Sequence, residues 1–274
     1  MHALLEVRES PQGVLTPARP ARPLAGLRVL VTRPAAPSDS LSAALTAMGA
    51  AVEAVPTTRI DDPTDPVPLA AAVSNLEGYD WILLTSANGV ERFADAVARR
   101  GDDGEPASPP RIAVIGTATA RAARARGLVP DLVPDVHRGE ALADALIAGG
   151  DLTGRRVLLA RAQHARPVLP ERLRAAGARV DDVAAYATRT DESSRDRLRE
   201  VVATGALDWI TFTASSAVRG FVDLAGADTG GARVAAIGPV TADTVRKKGL
   251  GDPIVAERAT AGSLVERIAV EVAV

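Results

Sequence analysis

The chain repeats itself. RVLLAR (156–161) restates RVLVTR (28–33), AAGARV around Gly177 restates AMGAAV around Gly49, and DWITFTASSAV (208–218) restates DWILLTSANGV (80–90), all at an offset of 128 residues. Further on, RVAAIGPVTA (233–242) follows RIAVIGTATA (111–120), GLGDPIV follows GLVPDLV, and AGSLVERI follows GEALADAL, now at 122, so about six residues are missing from the later copy. An offset held over segment after segment marks an internal duplication, and whatever fold one half adopts the other adopts too.

Within a copy, short β-rich runs alternate with helical patterns. RVLVT (28–32), VEAVP (52–56), WILLTS (81–86) and RIAVIG (111–116) read as strands. SDSLSAALTAMGA (38–50), a segment opening near Asn88, and ATARAARARG (118–127) read as helices, the first stopping at Gly49. The βαβα order predicts an α/β protein with parallel sheets and helices on both faces. Residues 1–24, with Pro11, Pro17, Pro20 and Pro23 and no apolar period, read as a disordered tail, with order beginning at Leu27.

Composition removes several classes. The 274 residues include no cysteine, which excludes disulfides, thiolate metal sites and Cys nucleophiles. Only His2, His137 and His164 are present, so no metal centre is expected. Aromatic residues are 3% of the chain, too few for a base-stacking platform, and 34 acidic against 32 basic residues create no global field for nucleic acid. No apolar run approaches the ~18–20 residues that span a bilayer, and Glu6, Arg8 and Glu9 interrupt any signal-peptide core, so a cytoplasmic protein is expected. No G-x-G-x-x-G follows a strand and no P-loop occurs, which argues against nicotinamide cofactors and ATP. Asp61, Asp62 and Asp65 read as a surface linker, and Arg99, Arg100, Arg121, Arg124 and Arg126 as solvated helix faces.

Polar residues gather just past the C-terminal ends of strands. Ser86, Ala87 and Asn88 pair by duplication with Ala214, Ser215 and Ser216; Gly116, Thr117 and Thr119 pair with Gly238, Pro239 and Thr241, with Val240 between. Open α/β sheets bind ligands at that edge, and a helix starting there offers unpaired N–H groups and a partial positive charge. Taken singly, each residue is an ordinary helix cap. Four such ends related by duplication, in domains that faced each other, would suit one polyanion. Arg33 and Arg161 occupy duplicate strand-end positions, and His164 and Arg166 follow in the same loop, where they could pair with carboxylates or simply be solvated. Tyr186 lies in the strand-like DDVAAYATRT (181–190); it reads as core, with a phenol that could also donate a proton.

Together RVLVTRP, WILLTSANGV, IAVIGTATA, AYATRT, ITFTASSAV and AAIGPVTA, in this order over about residues 26–270, resemble the uroporphyrinogen-III synthase family. The resemblance implies two flavodoxin-like α/β domains joined by a two-stranded connector: one of 25–57 plus 190–274, the other of 58–189. It implies hydroxymethylbilane, a linear tetrapyrrole octacarboxylate, as substrate, closed with inversion of the last ring and loss of water, and no cofactor. It makes Tyr186 the candidate proton donor. It puts Ser86, Thr119, Thr241 and Ser215 or Ser216 against substrate, and Arg233 where a basic residue is common. A monomer is expected. The competing readings are a non-catalytic two-domain small-anion binding protein and a nucleotide-sugar transferase; the latter's diphosphate loop is missing.

Overall fold

The computed structural model describes residues 22–33, 40–101 and 109–273, together with two short paired strands, β1 (Val7–Arg8) and β2 (Thr16–Pro17). The remainder of the expected tail up to residue 21 lies outside the described residues. The chain continues through β3 (Arg28–Val31), α1 (Ser40–Ala47), β4 (Ala51–Ala54), β5 (Thr58–Asp61), α2 (Val67–Ser74), β6 (Trp81–Leu84), α3 (Ala87–Arg100), β7 (Arg111–Val114), α4 (Thr117–Ala125) and α5 (Gly139–Ala148). It then forms β8 (Arg156–Ala162), α6 (Val168–Ala175), β9 (Arg179–Thr190), α7 (Arg195–Ala203), β10 (Trp209–Phe212), α8 (Ser215–Ala225), β11 (Arg233–Ala236), α9 (Pro239–Lys247), β12 (Ile254–Val255) and α10 (Ala261–Val272).

These elements divide into two units, one of 1–59 and 189–274, the other of 60–188. The first holds a parallel sheet ordered β12-β11-β10-β3-β4. The second holds β5-β9-β8-β6-β7, in which β6, β7, β8 and β9 pair in parallel. Each duplicated strand takes the same place in its sheet: β8, β9, β6 and β7 answer β3, β4, β10 and β11. The single bridge Ala113↔Leu132 stands where β12 stands in the other copy.

The strands are continuous apolar runs because both faces are covered. In β3, Leu30 packs with Ile210, Phe212 and the α7–α8 side, while Val29 and Val31 pack with Trp209 and the α1–α10 side. In β6, Ile82 and Leu84 face one cluster and Trp81 and Leu83 the other. Phe212 and Phe221 meet edge-on, with ring centroids 5.6 Å apart. Order begins earlier than Leu27. Leu24 is fully buried and its N–H reaches the Met48 carbonyl at 2.9 Å, a docking that a proline-rich stretch without apolar period does not advertise.

The duplication extends to polar detail at the strand starts. The Asp80 carboxylate accepts the Arg156 N–H at 2.8 Å, and its counterpart Asp208 accepts the Arg28 N–H at 2.7 Å. Arg111 lies over the Trp81 ring at 4.0 Å, and Arg233 over the Trp209 ring at 4.4 Å.

Candidate functional site

In both sheets the strand order reverses at one point, between β8 and β6 and between β3 and β10. The crevice outside the carboxyl ends of strands at such a reversal is where open α/β sheets take ligands. Ser86 stands there, at the end of β6. Its backbone is extended, and its Oγ accepts the Gly89 N–H at 3.0 Å, so the hydroxyl caps α3. The same Oγ lies 3.0 Å from the Tyr186 phenolic oxygen, and either atom can be the donor. The Gly89 N–H occupies one acceptor position on Ser86, which leaves the serine's own proton available for the phenol oxygen.

Tyr186 reaches Ser86 through a β-bulge. Arg161 pairs with Ala184 and Ala162 with Tyr186, so Ala185 has no opposite residue. One extra residue shifts the alternation and re-aims the side chain that follows. The strand is further held by the Gln163 N–H on the Tyr186 carbonyl at 2.8 Å. Gly89 lets α3 seat closely: a Cβ there would stand 3.2 Å from Ser86 Oγ and 3.3 Å from the Ala160 carbonyl oxygen. Tyr186 is buried and Ser86 half-buried.

The other expected residues fall into groups. Ala87, Asn88 and Thr117 are exposed at the starts of α3 and α4. Thr119 and Thr241 occupy first turns of α4 and α9, yet each is only 5% exposed, so their side chains are turned largely inward. In the other unit Ala214 occupies the α8 cap without a side-chain bond. Ser215 Oγ instead donates to the Val240 carbonyl at 3.2 Å and lies 2.8 Å from the Thr244 hydroxyl, tying α8 to α9. Ser216 is half-buried, Val240 is exposed, Arg33 is half-buried past β3, and His164 is exposed past β8.

Two residues expected against substrate have partners within the protein. Arg161 does not extend a free guanidinium. It is 8% exposed, grips both Asp182 carboxylate oxygens at 2.7 and 2.6 Å, and donates to the Arg166 carbonyl at 2.6 Å. Arg233 sits at the start of β11, the opposite edge from the helix N-termini, where it covers Trp209 and pairs with Glu271. A matching position in a motif does not reveal which end of a strand a side chain serves.

Sequence reading missed one neighbour of the site. The His137 ring lies against Gly116 at the α4 cap, so closely that a Cβ on Gly116 would be 2.5 Å from it. His137 has no counterpart in the second copy, where Ala259 stands, so the repeat carried no signal for it.

The fold and this edge define a duplicated, two-unit α/β protein with a capped serine–tyrosine pair at a sheet reversal. The family model described as uroporphyrinogen-III synthase HemD matches residues 39–266, and the chain belongs to that family. The chain is similar to the uroporphyrinogen-III synthase of Synechococcus elongatus, with 32% identity over 82% of this chain and 88% of the relative. It is 30% identical over 90% of its length to the porphyrin biosynthesis protein HemD of Ruminiclostridium josui, of which it spans about half (49%). A crystal structure of a mutant uroporphyrinogen III synthase from the extremely thermophilic bacterium Thermus thermophilus shares the fold, with a TM-score of 0.60, 23% identity, and coverage of 90% of this chain and 99% of that one.

Proposed function

We propose that the chain is a uroporphyrinogen-III synthase, a cyclising hydro-lyase acting on hydroxymethylbilane as a cytoplasmic monomer, and that Tyr186 is its proton donor. The observation that carries the assignment of chemistry is the Ser86–Tyr186 contact at the sheet reversal. The phenol protonates the hydroxymethyl oxygen on the first ring, the C–O bond breaks, and water leaves. The resulting cationic ring is attacked by the substituted carbon of the last ring. The spiro product fragments and recloses with that ring inverted, and loss of a proton restores the pyrrole. One water is released overall.

Ser86 has a defined part in this. Held by Gly89, it donates its proton to the Tyr186 oxygen, frees the phenol proton for substrate, and stabilises the phenolate left behind. Each unit offers its own pair of helix starts, whose N–H groups suit carboxylates. Positioning of the chain ends supplies most of the acceleration, and the general acid adds about 10²–10⁴-fold. The test is turnover of hydroxymethylbilane by Tyr186→Phe. The expected result is a kcat at least about 100-fold down with the inverted isomer still formed; wild-type kcat would refute the donor role.

A further inference from the structure

We propose that Gln163 is a positioning residue for Tyr186, acting through a clamp on the strand end that presents the phenol to Ser86. The inference rests on the donor reading of Tyr186. Past the bulge the β8–β9 ladder keeps one pair within the strands, Ala162 opposite Tyr186, and β8 ends there. The next contact is the Gln163 N–H on the Tyr186 carbonyl at 2.8 Å. A bond at the end of a ladder, beside an unpaired residue, opens easily unless something outside the ladder holds it.

The Gln163 side chain supplies that hold. Its Oε1 accepts the Thr64 N–H at 2.9 Å, and its Nε2 donates to the Thr64 hydroxyl at 3.1 Å. Both ends of the amide are used on one residue, which fixes its orientation. Thr64 lies in a segment that is itself tied down. Asp62 engages Arg92 at 2.9 Å, Pro63 is buried, and Asp65 accepts the Val67 N–H at 3.0 Å where α2 begins. The acidic stretch that reads as a surface linker is therefore an anchor. From the other side Arg161 donates to the Arg166 carbonyl at 2.6 Å and closes the loop in which Gln163 stands. Contacts thus run from Thr64 through Gln163 to Tyr186, and from its phenol to Ser86 at the start of α3.

The second copy is the internal control. By the 128-residue offset, the counterparts of Thr64, Gln163, Tyr186 and Ser86 are Glu192, Ala35, Thr58 and Ala214. All four members differ together. Where the duplicated scaffold has no phenol to aim, it has no glutamine to hold the strand that would carry one.

The experiment uses the full chain with ring-labelled tyrosine. Tyr79 and Tyr186 are the only tyrosines, so aromatic carbon–proton NMR reads both, assigned with Tyr186→Phe. Tyr79 belongs to the same core cluster and reports whether the unit stays folded. Gln163→Met keeps the length of the side chain and removes both bonds to Thr64. The expected result is a shifted or broadened Tyr186 signal, an unmoved Tyr79 signal, and a kcat about 10- to 100-fold lower with KM within about two-fold. Gln163→Glu keeps an acceptor for the Thr64 N–H, so it restores the Tyr186 signal and holds kcat within about three-fold of wild type. In the Tyr186→Phe background Gln163→Met costs no further turnover, because its effect runs through the phenol. An unmoved Tyr186 signal, a loss that adds to that of Tyr186→Phe, or a raised KM with wild-type kcat overturns the proposal. Collapse of both tyrosine signals also overturns it, since the role would then be the fold of the unit. Wild-type kcat in Tyr186→Phe alone refutes the donor reading, whereas the Gln163→Met spectrum decides the clamp.

Discussion

Arg161 shows how burial changes the meaning of a residue. Its side chain and that of Asp182 form a two-pronged pair with little solvent access, so removing the arginine leaves a carboxylate with no partner. Arg161→Leu is expected to lower unfolding free energy by about 2–4 kcal/mol while leaving the KM for substrate near wild type. Denaturant unfolding and steady-state kinetics on the same sample separate this structural role from a substrate contact. Tyr79 gives a pH signature. Burial first, then the hydrogen bond to Asp181 at 2.7 Å and that carboxylate's charge, push its phenol up to about 12. A raised pKa means its stabilisation is complete below about pH 10, where the unfolded phenol titrates, and is lost as pH climbs toward 12. Stability curves at pH 9 to 12 for wild type and Tyr79→Phe should converge across that window; parallel curves would contradict the assignment.

Among elements, α3 and α8 are copies with different ends. Ser86→Ala removes a cap and the phenol's partner together, so it should cost about 0.5–2 kcal/mol of stability and also slow turnover, as seen by unfolding and by kcat. Ala214 already occupies that position in α8, so the loss is tolerable to the fold. Gly220→Ala runs against helix propensity: alanine in a helix interior usually gains up to about 1 kcal/mol, but here its methyl meets the Thr57 carbonyl. Thr57 is anchored by its hydroxyl to Ala217 at 2.9 Å and by its N–H to Thr32 at 2.9 Å, so it yields poorly. A drop in Tm is expected on thermal unfolding, and an increase would show that the contact relaxes. The strands and most helices were legible because apolar runs and their repeat are local patterns. The bulge at Ala185 was not, since an extra residue opposite Ala162 is a property of two strands 24 residues apart. The pairing of Ser86 with Tyr186, 100 residues apart, followed from that bulge and was equally hidden, although each residue was singled out alone.

For the whole molecule, the duplication was the most readable feature because it rests on order and spacing along the entire chain. What it conceals is divergence. One unit holds the serine–tyrosine pair and His137 against Gly116; the other ties α8 to α9 through Ser215 and Thr244. On the proposed reading, the proton donor and its partner both belong to one unit. That division of labour matters only if the molecule governs which way the last ring closes, because the linear substrate cyclises unaided to the uninverted isomer. The deciding measurement supplies hydroxymethylbilane to the purified chain and separates the type I and type III porphyrins after oxidation. The account predicts type III in excess, formed faster than spontaneous closure; type I alone, at the uncatalysed rate, would contradict it.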